Sequence, residues 1–122
     1  MIVFLDTYAL LALLEGSPAY APYRQGSRIT HPMNILEALV VLYRKGEPEP
    51  RRRLDALGVD LVPATDLDLE VAARLRTARD VRGRGLSLVD CLGYAVSRRT
   101  GRPFLTGDRG FLGLPRVELV RA

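Results

Sequence analysis

The chain has 122 residues, 48% of them apolar, 26% charged, and a single cysteine, Cys91. That length and apolar content fit one domain, residues 1–122, with a packed core, and exclude a disordered chain. One cysteine excludes an internal disulfide and points to a reducing, cytoplasmic setting. The formal charge is +4, and 17 of the 18 basic residues are arginine, Lys45 being the one lysine. Arginine forks match phosphate, so the excess suits a polyanionic partner, although a genome rich in G and C produces the same bias.

In chain order, "IVFL" (2–5) reads as a short strand buried on both faces, and 7–15 as a helix. The apolar run Tyr8 to Leu14 is too short to span a bilayer, and no positive region precedes it as in a signal peptide. Residues 17–26 read as a short helix or loop and 28–30 as a second strand. Pro32 opens a helix that Gly46 ends, and 48–58 form another that Gly58 stops. A strand is expected over 59–64. A helix follows over 66–83, with acids in its first turn and arginines in its last, as the helix dipole prefers. The pattern repeats over 87–101. Strands are expected at 103–108 and 117–120, with a turn at "GFLG" between them. Short apolar strands alternating with helices imply an α/β domain whose mainly parallel sheet is covered on both faces. Ligands bind such sheets outside the carboxyl ends of the strands, where Asp6 and Asp108 fall.

Four acids stand out, and each has a plainer explanation. Asp6 and Asp108 are suited to capping a helix or turn. Asp90 completes the capping-box pattern Ser87-Leu-Val-Asp90. Glu37 lies on a helical stripe with Met33, Leu36, Val40 and Val41 and has no Lys or Arg one turn away. A buried stripe there leaves its charge in need of a cation, unless the stripe faces a polar rim or a distant arginine. Four such acids converging on one pocket would repel, and a divalent cation would relieve them. Oxygen donors without a Cys–His cluster favour Mg²⁺ or Mn²⁺ over zinc. His31 is the sole histidine, which excludes a zinc site with several His ligands and argues against a Ser–His–Asp hydrolase. Cys91 lacks a basic activator and reads as helix packing.

The pieces "FLDTYALLALL", "NILEAL", "LSLVDCLGYAVSRRTG" and "PFLTGDRGF" occur in an order that resembles the PIN-domain nucleases, in particular the VapC-like toxins of toxin–antitoxin systems. The resemblance covers nearly the whole chain. It implies a three-layer α/β/α fold and a Mg²⁺- or Mn²⁺-dependent endoribonuclease. The implied acidic site is Asp6, Glu37, Asp90 and Asp108, with Thr7, Ser87 and Thr106 as supporting groups. It further implies RNA as substrate, a cognate antitoxin and a homodimer. Arg24, Arg28, Arg82, Arg84, Arg98 and Arg109 are candidates for the RNA backbone. "THPMN" replaces the Ser/Thr-rich approach expected before the glutamate, and Cys91 stands where a small apolar residue is common. The rival from another class is a PIN-like or receiver-like interaction module that takes a cation and cuts nothing. A receiver domain needs a lysine after a late strand, where none stands. A haloacid-dehalogenase-type phosphatase needs a second Asp at position 8, which is Tyr8.

Overall fold

The computed structural model describes residues 2–122. The N-terminal apolar run forms β1 (Ile2–Leu5). The other strands are β2 (Ser27–Thr30), β3 (Asp60–Leu61), β4 (Phe104–Thr106) and β5 (Val117–Leu119). They form one sheet in the order β3-β2-β1-β4-β5, every neighbouring pair parallel. In the register Phe4 stands between Ile29 and Phe104.

Successive side chains of a strand point to opposite faces, and β1 divides accordingly. Val3 and Leu5, joined by Leu105, pack under α1 (Thr7–Leu14), α2 (Pro32–Arg44) and α3 (Pro50–Ala56). Phe4, Ile29 and Phe104 pack under α4 (Asp66–Thr77) and α5 (Leu88–Arg99). The result is a three-layer α/β/α sandwich. Its second core is aromatic: the rings of Phe4 and Phe104 stack at 5.5 Å, and those of Phe104 and Phe111 lie 4.5 Å apart. Burying each such side chain contributes about 1.5–3 kcal/mol.

Connections from β1 run outward through β2 to β3, then return across the other face to β4 beside β1. The strand order therefore reverses between β1 and β4. A crevice opens outside the carboxyl ends of strands at such a point. Asp6 follows β1 directly, and Asp108 follows β4 by one residue.

Three expectations need correction. The strand expected over 59–64 is only Asp60–Leu61, both exposed, because β3 is the sheet's edge and has a neighbour on one side alone. The helix expected to reach residue 83 stops at Thr77: Ala78 turns to an extended conformation, and its carbonyl accepts from the amides of Val81 and Arg82. The turns that follow use Gly83 and Gly85 at positive φ, where a side chain would be strained. The apolar stripe on α2 does not face the core. Met33, Leu36 and Val40 are 37–50% exposed, and the buried positions are Asn34, Ala38 and Leu42.

Candidate active site

Asp6 is the N-cap of α1, its Oδ1 accepting from the Ala9 amide at 2.8 Å. Its Oδ2 accepts from the Thr106 hydroxyl on β4. Thr106 Oγ1 in turn accepts from the Asp108 amide at 3.0 Å. Asp108 Oδ1 takes the Gly110 amide at 2.8 Å and so caps the 3₁₀ turn Arg109–Phe111. One threonine thus fastens the acid after β1 to the acid after β4.

Asp90 lies in the first turn of α5. Its Oδ2 accepts from the Ser87 amide at 2.8 Å, and Ser87 Oγ accepts from the Asp90 amide at 3.1 Å. The capping box is real. Glu37, on α2, takes the Thr7 hydroxyl on Oε1 at 2.7 Å, and Thr7 Oγ1 accepts from Asn34 Nδ2 at 3.2 Å. Glu37 is half-buried, so the premise of a buried apolar stripe fails, and its charge bears on Asp90.

Four carboxylates from four elements therefore meet at the carboxyl edge of the sheet, each fixed by at least one hydrogen bond. Their charges bear on one another. Burial pushes the Asp6 carboxyl up to about 7; the Thr106 and Ala9 hydrogen bonds oppose that, and the charges of Asp90 and Asp108 add to it. Asp90 is also raised, first by burial, with Glu37 and Asp108 contributing against its capping bonds. Among the described residues, none of the four acids forms an ion pair with Lys, Arg or His. Among those residues no three His, Cys, Asp or Glu side chains stand close enough together to hold a metal ion as they are placed. The donor set is hydrogen-bonded oxygen throughout, which is the chemistry Mg²⁺ and Mn²⁺ take.

His31 is not part of this set. Its Nδ1 accepts from the Met33 amide at 3.1 Å to cap α2, and burial lowers its pKa. Cys91 is buried in the α5 packing, with its thiol pKa raised by that burial. Two of the candidate arginines are tied to the protein's own backbone. Arg28 donates to the carbonyls of Tyr23 and Leu57, and Arg84 to those of Asp80, Gly110 and Leu112. Arg24, Arg82, Arg98 and Arg109 are exposed.

Three residues at the site have no signature in a local reading. Tyr8 lies so close over Gly107 that a Cβ there would meet its ring at 2.0 Å, so only glycine fits between Thr106 and Asp108. Arg121 stacks over the Tyr8 ring at 5.6 Å and donates to the Gly107 carbonyl. Asn34 completes the Thr7–Glu37 chain. The one local signal for Asn34 is its spacing, three residues before Glu37 on the same helix face.

The PIN domain family model matches residues 3–117. Ribonuclease VapC of Mycolicibacterium smegmatis is 36% identical, with 88% of this chain and 92% of that protein aligned. Among solved structures, VapC20 of Mycobacterium tuberculosis, a toxin that cleaves the sarcin–ricin loop, superposes with a TM-score of 0.70 at 21% identity, covering 97% of this chain and 98% of that one. VapBC2 of Rickettsia felis, bound to a promoter DNA fragment, superposes at 0.76 with 16% identity, covering 98% and 97%. At those identities the structural likenesses speak for the fold.

Proposed function

The chain belongs to the PIN-domain family, and from that premise we propose that it is a Mg²⁺- or Mn²⁺-dependent endoribonuclease, the toxin of a VapBC-type pair. The observation that carries this reading is the meeting of four acids from four elements without a basic partner. Capping accounts for three of these acids one by one but not for their convergence, because each carboxylate disfavours the ionised form of its neighbours. A divalent cation bound there supplies charge neutralisation and activation of water for phosphodiester hydrolysis.

The chain's own residues do the rest. Asp6, Asp90 and Asp108 would hold the ion, and Glu37 would hold it or orient water beside it. Thr106, Ser87 and Thr7 fix three of these carboxylates by the bonds described above, so the site needs little reorganisation as charge develops. The exposed Arg24, Arg82, Arg98 and Arg109 are the arginines of the candidate set open to the RNA backbone. A groove is lined by Glu37 together with Thr7, Leu36, Val40, Val41 and Arg44. The cognate antitoxin is expected to place an Arg or Lys against the acids, since a cationic side chain competes with a metal for the same field. A homodimer is part of the same reading. Among the described residues no helix is long and apolar enough to cross a membrane.

The test is a panel of structured RNAs incubated with Mg²⁺, Mn²⁺ or EDTA. Defined cuts are expected with either metal, none in EDTA, and none from Asp6→Asn or Asp90→Asn. Cutting that persists in EDTA, or that both variants retain, would overturn the metal-dependent reading. No cutting of any RNA by a protein that binds Mn²⁺ would favour the interaction module.

A further inference from the structure

Asn34 is 1% exposed and sits on the inner face of α2, facing α5. Its amide has two ends with different fates. Nδ2 donates to Thr7 Oγ1 at 3.2 Å, and that hydroxyl donates onward to Glu37 Oε1 at 2.7 Å. Oδ1 is buried with no hydrogen-bond partner. A leucine would fill this space without orphaning a carbonyl, and buried polar groups left unpaired are costly. The facing helix is also shaped for the amide. Gly93 stands three residues after Asp90, and a Cβ there would come within 3.2 Å of both Asn34 Oδ1 and Phe4 Cε1.

The orientation of the amide decides what Thr7 can do. With Nδ2 toward Thr7, the hydroxyl receives a donor and must send its own proton elsewhere, and the carboxylate of Glu37 is the acceptor in reach. The reversed amide would put a carbonyl against Thr7, draw the hydroxyl proton to itself and leave Glu37 without that bond. One orphaned acceptor therefore accompanies a directed chain, Asn34 to Thr7 to Glu37.

We infer that Asn34 is a positioning residue for the acidic site: its amide holds the Thr7 hydroxyl in the rotamer that donates to Glu37. The inference rests on the nuclease reading, and within it assigns "THPMN" a purpose. The asparagine acts from below the site, touching neither ion nor substrate, and it acts only through Thr7.

The experiment compares wild type with Asn34→Leu, Thr7→Val and the double variant, with Asp55→Asn as a neutral control on an exposed helix position. Four readouts are taken: the Mn²⁺ dissociation constant, the melting temperature in EDTA, and kcat and KM for RNA cleavage in Mn²⁺. Asn34→Leu is expected to melt at or above wild type, because the orphaned carbonyl is gone. It is expected to bind Mn²⁺ several-fold more weakly and to lose about tenfold in kcat with KM within about twofold, as when a hydrogen bond to a charged group is lost. In the Thr7→Val background Asn34→Leu should cost nothing further, since groups acting in series are not additive. Asn34→Ala, read the same way, replaces Asn34→Leu if the leucine variant does not fold. Wild-type Mn²⁺ affinity and kcat in the Asn34 variant, or losses that simply add to those of Thr7→Val, would overturn the inference and leave the nuclease reading intact. A wild type that neither binds Mn²⁺ nor cuts RNA would overturn both.

Discussion

Asp6 and Asp68 invite comparison. Both are buried, at 3% and 2% exposure, both sit at the start of a helix, and both are hydrogen-bonded to a threonine. Their surroundings then diverge. Asp68 receives the Arg99 guanidinium, Nε to Oδ2 at 2.9 Å, as well as the Thr65 amide at 2.8 Å. Burial alone would raise its pKa, but those contacts outweigh it, and the carboxyl is held below its ordinary value. Asp6 has hydrogen bonds and no cation, faces two further acids, and is pushed up to about 7. The α4–α5 end of the molecule thus shows how this fold buries an acid for structure: it supplies an arginine. The carboxyl edge by β1 and β4 withholds one, and a withheld partner at a strand-order reversal is what a cation site requires.

The comparison predicts opposite pH behaviour, and this is the largest effect expected. A carboxyl raised in the folded state contributes stability that is full below its unfolded pKa and is lost as pH rises through its folded pKa. For Asp6 that loss spans pH 4 to 7 and is on the order of 4 kcal/mol, from about three pKa units. For Asp68, lowered in the folded state, the contribution is present above pH 4 and lost as pH falls through its folded pKa. Denaturant titrations of metal-free protein should show both slopes. Asp6→Asn should reduce the first slope, leaving the share that the raised Asp90 contributes, and leave the second unchanged, and a metal-free wild type equally stable at pH 4.5 and 7.5 would break the comparison.

A second expectation concerns catalysis. Asp6→Asn keeps the cap but removes the charge, and should lower RNA cleavage in Mn²⁺ about a hundredfold or more, some 2.7 kcal/mol of transition-state stabilisation. Asp68→Asn, away from the acids, should leave the rate per folded molecule within about twofold. Single-turnover cleavage measured at a temperature where both variants are folded decides the point. Third, Arg99→Met should leave Asp68 buried without its cation. Breaking a buried pair costs about 3–5 kcal/mol, and because Arg99 is a third exposed the expected loss is about 2 kcal/mol, read from the shift in denaturant midpoint. No loss would mean that Asp68 does not depend on its arginine, and the contrast with Asp6 would lapse.

Much of this was legible in the sequence, for physical reasons that differ by element. The strand Ile2–Leu5 and the helix beginning at Pro32 carry local signals, an unbroken apolar run and a proline at a helix start. The strand β3 is shorter than its sequence implies because apolar residues at an exposed edge look like those of a buried strand. The helix α4 ends before its sequence pattern does because the turn after Thr77 is held by the carbonyl of Ala78 and the reach of Arg84 to residues 110 and 112, neither visible locally. At the site, capping and convergence proved compatible: Asp6, Asp90 and Asp108 each cap a helix or turn with one oxygen while facing the other acids. For Glu37 the sequence pattern misleads, since its neighbours Met33, Leu36 and Val40 are exposed rather than buried. Asn34, Tyr8 and Arg121 carry no local signal because what they touch lies 14 residues or more away in sequence.

On the proposed function, the acids at the carboxyl edge form a cation site while Asp68 and the surface acids do not. The most direct test is a melting series of wild type, Asp6→Asn, Asp90→Asn and Asp55→Asn, in EDTA and then in rising Mn²⁺. In EDTA, Asp6→Asn and Asp90→Asn should melt at or above wild type, because asparagine still caps and no longer repels. At Mn²⁺ tenfold above its dissociation constant, wild type and Asp55→Asn should each gain about 1.4 kcal/mol, and the two site variants clearly less. An equal gain in all four proteins would contradict the account and return Asp6 and Asp90 to being helix caps.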